Sequence, residues 1–208
     1  MLDKIKMSEK YSGVKFKTIF REKSKIKHKG IEKLRHWGRK FTELDLAPKI
    51  EGGFAGNLSF RTHRGFIITA SVANLSGLND DDLVEVTDAD VCLKHVFVCG
   101  LKEPSSESFL HHAIYVRRAD INAVFHGHDK LTLKFNDLLN FPVTEKEQPY
   151  GSAELVNDVV KILDKCKDYY YILIKNHGFI SLGKTMDEAG NEAISQHKRA
   201  IELNKQAK

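Results

Sequence analysis

Between residues 31 and 44, apolar side chains recur at steps of three and four (Ile31, Leu34, Trp37 or Gly38, Phe41, Leu44), and Leu46 and Pro48 follow. That spacing lines one face of a helix, which the proline ends. A glycine-rich turn comes next, Gly52-Gly53-Phe54-Ala55-Gly56-Asn57, and then two short strand-like runs at 58–61 and 66–69. Asp80-Asp81-Asp82 introduces a hairpin whose strands are expected at 83–86 and 91–98. Pro104, Ser105 and Ser106 open a helix running to about Arg118, and 123–125 reads as a short buried strand ending in His126-Gly127-His128. Helices are expected over 129–139 and 152–165, with an apolar strand at 169–174 closed by Asn176-His177-Gly178. Thr185-Met186-Asp187-Glu188 is an S/T-x-x-E capping box, so a last helix runs from there towards Asn204. No repeat or low-complexity linker divides the pattern, which predicts one α/β domain over residues 30–208.

Charge separates the first part of the chain from the rest. The 208 residues carry 33 Lys and Arg against 28 Asp and Glu, a net charge of +5. Residues 1–40 hold 14 of the basic and only four of the acidic residues, so the remainder is mildly acidic. Residues 1–29 alternate lysine with Ile, Phe and Ser, and no aromatic platform or nucleic-acid motif follows them. They are read as a solvated, partly disordered basic extension, and neither a nucleic-acid partner nor a membrane is expected. At 41% hydrophobic residues the chain has the material for a core, and its composition excludes collagen-like, disordered and disulfide-scaffold classes. Cys92, Cys99 and Cys166 form no CxxC pair and leave one over, as in reduced proteins. No apolar run reaches the length of a membrane span, and the lysine-rich start has no apolar segment after it. A cytoplasmic protein is expected.

Two segments carry candidate chemistry. In an extended segment, side chains at i and i+2 share a face, so His126 and His128 can reach one ion. His177, at the end of another apolar strand, is a candidate third ligand, leaving a fourth position open as catalytic zinc requires. The chain has ten histidines, however, and spacing alone leaves a metal site and an ordinary surface or core pair equally open. Ser105 and Ser106 at a helix start offer hydroxyls and free N–H groups to an anion, with Gly56 and Asn57 as further candidates. Taken singly, ordinary capping and turn chemistry explain these residues better than an anion site does, and Glu107 then reads as a carboxylate complementing the helix dipole.

The ordered segments GGFAGNLSFR, FIITAS, EPSSESFLHHAIYVRRADINAVFHGHD, YGSAEL and KNHGFISLGKTMDEA resemble the class II aldolase/adducin family over about residues 31–205. The resemblance implies a single three-layer α/β/α domain with a central mixed, largely antiparallel sheet. It also implies a homotetramer acting on a small sugar or sugar phosphate. His126, His128 and His177 resemble the ligands of zinc, or of another divalent ion. Glu107 resembles the catalytic acid/base, and Gly56, Asn57, Ser71, Ser105 and Ser106 the lining of a phosphate pocket. The activity implied is aldol cleavage through a metal-stabilised enediolate, with epimerase or dehydratase chemistry or a non-catalytic adducin-like binding role as alternatives.

The sequence departs from the family pattern twice. The family's phosphate turn ends in glycine, whereas this chain reads Thr69-Ala70-Ser71-Val72, and valine tolerates positive φ poorly. A reshaped phosphate site follows, or a ligand bearing a carboxylate or no anion. The segment between His128 and Gly151 is also short. It lacks the tyrosine with which typical members reach a neighbouring site as proton donor, leaving Tyr150 a candidate by proximity alone.

Overall fold

The computed structural model describes residues 13–50 and 52–207. In chain order the strands are β1 (Lys17–Glu22), β2 (Lys49–Ile50), β3 (Gly53–Phe54), β4 (Asn57–Thr62), β5 (Gly65–Thr69), β6 (Leu83–Asp90), β7 (His95–Cys99), β8 (Ala123–Gly127), β9 (Tyr171–Ile174) and β10 (Gly178–Gly183). The α-helices are α1 (Ile31–Glu43), α2 (Ser108–Arg117), α3 (Lys130–Lys134), α4 (Asn136–Leu139), α5 (Ala153–Lys165) and α6 (Met186–Gln206). Eight strands form one sheet in the order β1-β7-β6-β5-β4-β8-β10-β9, and β2 and β3 pair as a separate ribbon. All neighbours in the large sheet are antiparallel except β1 and β7.

The period of two along each strand sorts side chains onto two covered faces. Phe125 of β8 packs edge-on against Phe41 of α1, with ring centroids 5.6 Å apart, and α6 lies beside it against β8 and β10. Ser59 of β4 and its opposite neighbour Val124 face α2, which packs on α5. This is the three-layer α/β/α arrangement with a mixed, largely antiparallel sheet. Among the described residues, no helix is long and apolar enough to cross a membrane.

Several elements differ from the reading of the sequence. Lys17–Glu22, expected within a solvated extension, is an edge strand of the main sheet. Phe16 just before it is buried, edge-on to Phe109 at 5.2 Å. Lysine stems lie along apolar surface while their ammonium groups stay wet, so a half-buried edge strand alternating with lysine looks solvated in sequence. Strand β10 was not anticipated: its six residues begin and end in glycine, which masks strand propensity. The helix after Pro104 starts only at Ser108, and the helix expected over 129–139 breaks at Phe135 into α3 and α4. The strand expected at 91–98 begins at His95, because 91–94 form the turn after β6.

Helices α1 and α6 meet without a spacer. An added Cβ at Gly190 would sit 2.3 Å from ring carbons of Trp37, whose indole N–H also donates to Asp187 at 3.0 Å. Gly190→Ala is therefore expected to overpack this contact and lower unfolding free energy by about 1–3 kcal/mol. Chemical denaturation checks it, and an unchanged midpoint would show that the two helices have room to part.

Candidate metal centre and active site

The site is assembled by strand register. Asn57 of β4 lies opposite His126 of β8, and both side chains point to the face that carries α2. His126 is 1% exposed. Its Nδ1 lies 2.8 Å from the Phe179 carbonyl oxygen, an acceptor only, so this nitrogen carries the proton and Nε2 presents its lone pair. His128 lies just past the strand end, where its backbone N–H donates to Leu46 O at 2.8 Å. His177 sits in the turn between β9 and β10, after Asn176 in the left-handed region (φ 56°).

These placements bring one nitrogen from each imidazole within 4.8 Å of the others. The Nε2 atoms of His126 and His128 are 3.2 Å apart, and the three ring centroids are separated by 4.9–5.1 Å. Burial pushes His126 down to about 3, and proximity to His177 adds to the shift. Burial, with His126 and His177 close by, holds His128 well below the usual range. Converging imidazole nitrogens at this spacing suit a divalent ion of borderline softness. Glu107 Oε2 lies 3.4 Å from His126 Nε2, and Glu107 Oε1 lies 3.8 Å from His177 Nε2. Glu107 Oε1 and Asn57 Oδ1 are buried and have no hydrogen-bond partner among the described residues. Isolated buried acceptors of this kind are costly, so the donor set and the orphaned oxygen together fit a metal.

Glu107 is the last residue before α2, and two rungs tie that helix to β4. Asn57 Nδ2 donates to Glu107 Oε2 at 3.0 Å. Two residues along the strand and four along the helix, Ser59 Oγ meets His111 Nδ1 at 2.7 Å and Tyr115 OH at 2.8 Å. Both rungs exploit the i, i+2 face of a strand against the i, i+4 face of a helix. Burial pushes His111 down to about 3, against the opposing pull of Glu107, and raises the Tyr115 hydroxyl.

The other end of the cleft is a pair of loops in register. Ser71 N–H donates to Glu103 O at 3.0 Å, and Ser105 N–H donates to Thr69 O at 3.1 Å. Ala73 N–H donates to Ala70 O, closing a four-residue turn in which Val72 stands at φ 51°. The valine thus adopts the backbone conformation usual for glycine. The strain is retained because Gly53 packs on it: an added Cβ at Gly53 would lie 2.0 Å from Val72 O. The Ser105 hydroxyl accepts the Glu107 N–H at 3.3 Å, so Ser105 and Ser106 lie in the turn before α2 and not within the helix.

One cleft of about 200 Å³ is lined by Gly56, Asn57, Ser71, Ser105, Ser106, Glu107 and the three histidines. It is smaller than the roughly 300–1,000 Å³ of sites for drug-sized ligands, so its occupant is small. Sequence reasoning did not single out Ile50, Phe54, Glu147 and Gln148, which also line it. Glu147 and Gln148 lie in a stretch with no motif, and nothing in their spacing marks them. Ile50 and Phe54 belong to the β2–β3 ribbon, too short to leave a periodic signal. Tyr150 lines the cleft, but its hydroxyl donates to Gly13 O at 3.2 Å.

The fold carries a three-histidine cluster, with His126 buried and His128 and His177 partly buried, beside a buried carboxylate in a small cleft. Residues 32–201 match the family described as Class II Aldolase and Adducin N-terminal domain, and the chain belongs to that family. An L-fuculose phosphate aldolase of Methanococcus maripaludis is 30% identical over 152 residues, covering 66% of this chain and 77% of that protein. A 5-methylthioribulose-1-phosphate/5-deoxyribulose-1-phosphate aldolase of Rhodospirillum rubrum is 28% identical over 158 residues, 68% of this chain and 67% of that protein. Among solved structures, L-fuculose-1-phosphate aldolase from Thermus thermophilus superposes with a TM-score of 0.68 at 22% identity. It covers 84% of this chain and 92% of that one, a likeness of fold.

Two predictions follow from this geometry. His111 and His126 stay neutral in the folded protein down to about pH 3, whereas in the unfolded chain they titrate near 6.5. Unfolding below pH 6.5 therefore takes up protons. Stability of the metal-free protein should be fully present above 6.5 and fall towards pH 3, by about 1.4 kcal/mol per pH unit for each imidazole. Denaturant midpoints at pH 7, 6 and 5 measure the slope, and a flat profile contradicts the assignment. Asparagine tolerates the left-handed region that strains Val72, so Val72→Asn should stabilise the fold by about 1 kcal/mol. A loss of stability would show that the valine side chain contributes more than its backbone costs.

Proposed function

We propose that the protein is a zinc-dependent class II aldolase that cleaves a small phosphorylated sugar or ketose. The observation that carries this reading is the convergence of three imidazoles with Glu107 at one end of a cleft whose other end is lined by uncharged hydroxyl and amide groups. The names of the relatives, aldolases of fuculose phosphate and of 5-deoxyribulose and 5-methylthioribulose 1-phosphates, support a ketose 1-phosphate as the substrate class. His126, His128 and His177 would hold the ion. When bound, zinc or a similar divalent ion supplies an electrophile for the negative charge that develops on the substrate's oxygen as the C–C bond breaks.

The chain's own residues divide the remaining work. Glu107 is the acid/base: Asn57 fixes Oε2, leaving Oε1 to hold the proton exchanged with the substrate. The Ser59–His111 rung keeps α2 in register, so the carboxylate faces the imidazoles without a search. Ser71, Ser105, Ser106 and the backbone at Gly56 receive the phosphate, and this remote anchorage positions the reacting end. Asn57 touches both functions, its amide committed to Glu107 and its backbone beside Gly56. The apolar wall of Ile50, Phe54, Val72 and Tyr150 excludes water from the cleft. The Tyr150 hydroxyl is engaged by Gly13, so Tyr150 serves as wall and not as proton donor. The same reading places the protein in the cytoplasm as a homotetramer, consistent with its three free cysteines.

The purified protein is expected to hold about one divalent ion per chain, and replacing His126 and His128 by alanine should remove it. A coupled screen of ketose 1-phosphates and free sugars, reading dihydroxyacetone phosphate or glycolaldehyde, should detect cleavage. Glu107→Gln should keep the metal and lose about 10²-fold or more in turnover. Metal binding with no cleavage of any substrate would instead favour a non-catalytic family role.

A further inference from the structure

The cleft has an uneven charge inventory. Its charged lining residues are Glu107 and Glu147, and no lysine or arginine is among its described lining residues. A cation in contact with that lining comes from outside the stretch that matches the family. Lys15 Nζ lies 3.9 Å from the centroid of the Tyr150 ring, and Tyr150 is buried against the cleft. Three further contacts seat this N-terminal segment. Tyr150 OH donates to Gly13 O at 3.2 Å, Phe16 packs on Phe109 in the first turn of α2, and Lys17 N–H donates to Lys94 O at 2.8 Å. Next to the tyrosine, Gly151 (φ 64°) presses on Ser106, where an added Cβ would lie 2.6 Å from Ser106 O. The lysine is thus one aromatic ring from the cleft, with Tyr150 and Gly151 between it and the serine turn.

We propose that Lys15 is a specificity-determining residue that supplies the positive charge for the anionic end of the substrate. This rests on the aldolase reading for the identity of the substrate but not for its test. An ammonium group one ring from a phosphate attracts it through a partly buried medium. Such a medium screens charge less than bulk water, so the attraction persists across one ring. The strained turn at Val72 gives the demand: with a side chain where glycine is usual, close backbone approach to the anion is reduced, and a charge acting at longer range compensates. A charged stem on an N-terminal segment also allows selection for the anion to change without altering the core of the site.

The test is calorimetric titration of the full-length, zinc-loaded protein with inorganic phosphate at several salt concentrations. Wild type, Lys15→Met and Lys15→Arg are compared, with metal content and thermal midpoint recorded for each. The proposal expects Lys15→Met to weaken phosphate about 5- to 20-fold and to flatten the dependence on salt, with metal content unchanged and Lys15→Arg close to wild type. Phosphate affinity and salt dependence unchanged in Lys15→Met would overturn it, as would a wild-type protein that binds no phosphate. A lowered thermal midpoint with the salt dependence intact also overturns it, because Lys15 would then only anchor the segment. None of these readouts requires turnover, so failure of the aldolase reading would appear separately, in the substrate screen.

Discussion

Two glycines allow the ends of β8 and β10 to touch. An added Cβ at Gly178 would lie 2.2 Å from Gly127 O, and one at Gly127 would lie 2.6 Å from both Leu46 O and the Phe179 ring. No side chain fits at either position. Because the two backbones close to this distance, His126 on β8 and His177 in the β9–β10 turn stand with ring centroids 5.1 Å apart. The same contact sets the Phe179 carbonyl against His126 Nδ1 and so decides which nitrogen faces the cleft. Everything the imidazole cluster can do follows from that backbone approach.

Electrostatics imposes the second constraint. His126 and His128 are desolvated beside one another and beside His177, which disfavours charge on both, and neutrality is the state that keeps their lone pairs available. A carboxylate placed against them balances the site without filling the coordination space, provided it cannot rotate away. Asn57 and the turn ahead of α2 supply that restraint, and the helix is itself pinned by Ser59 and His111. The two rungs couple strand and helix geometry to the position of a single oxygen atom.

Much of this was legible in the sequence, for reasons that differ by residue. The His-Gly-His pair was readable because a strand's period of two is strict. The third histidine was not, since nothing local joins residue 126 to residue 177; order along the chain and family likeness pointed to it. Helices α1, α5 and α6 were visible from apolar spacing and caps. Strand β10 escaped because its glycines serve backbone approach and β1 because its lysines hide a half-buried register. The left-handed Val72 could be suspected as a departure from pattern, but its conformation depends on Gly53, a contact across a ribbon with no periodic trace. Glu147 and Gln148 reach the cleft by tertiary placement alone.

The parallel pairing of β1 with β7 has a consequence for biosynthesis. The partners of Lys17, Thr18 and Ile19 are His95, Val96 and Phe97, so the edge strand cannot be completed until the ribosome has made the chain beyond residue 99. At about 5–20 residues per second, the first strand waits roughly 4–16 s for its partner. Throughout that interval its apolar positions, including Phe16 and Phe20, have no sheet to join. The lysines and arginine that alternate with them keep the waiting segment soluble and discourage it from pairing with another nascent chain. The charge pattern that makes the strand hard to recognise is then also what protects it during synthesis.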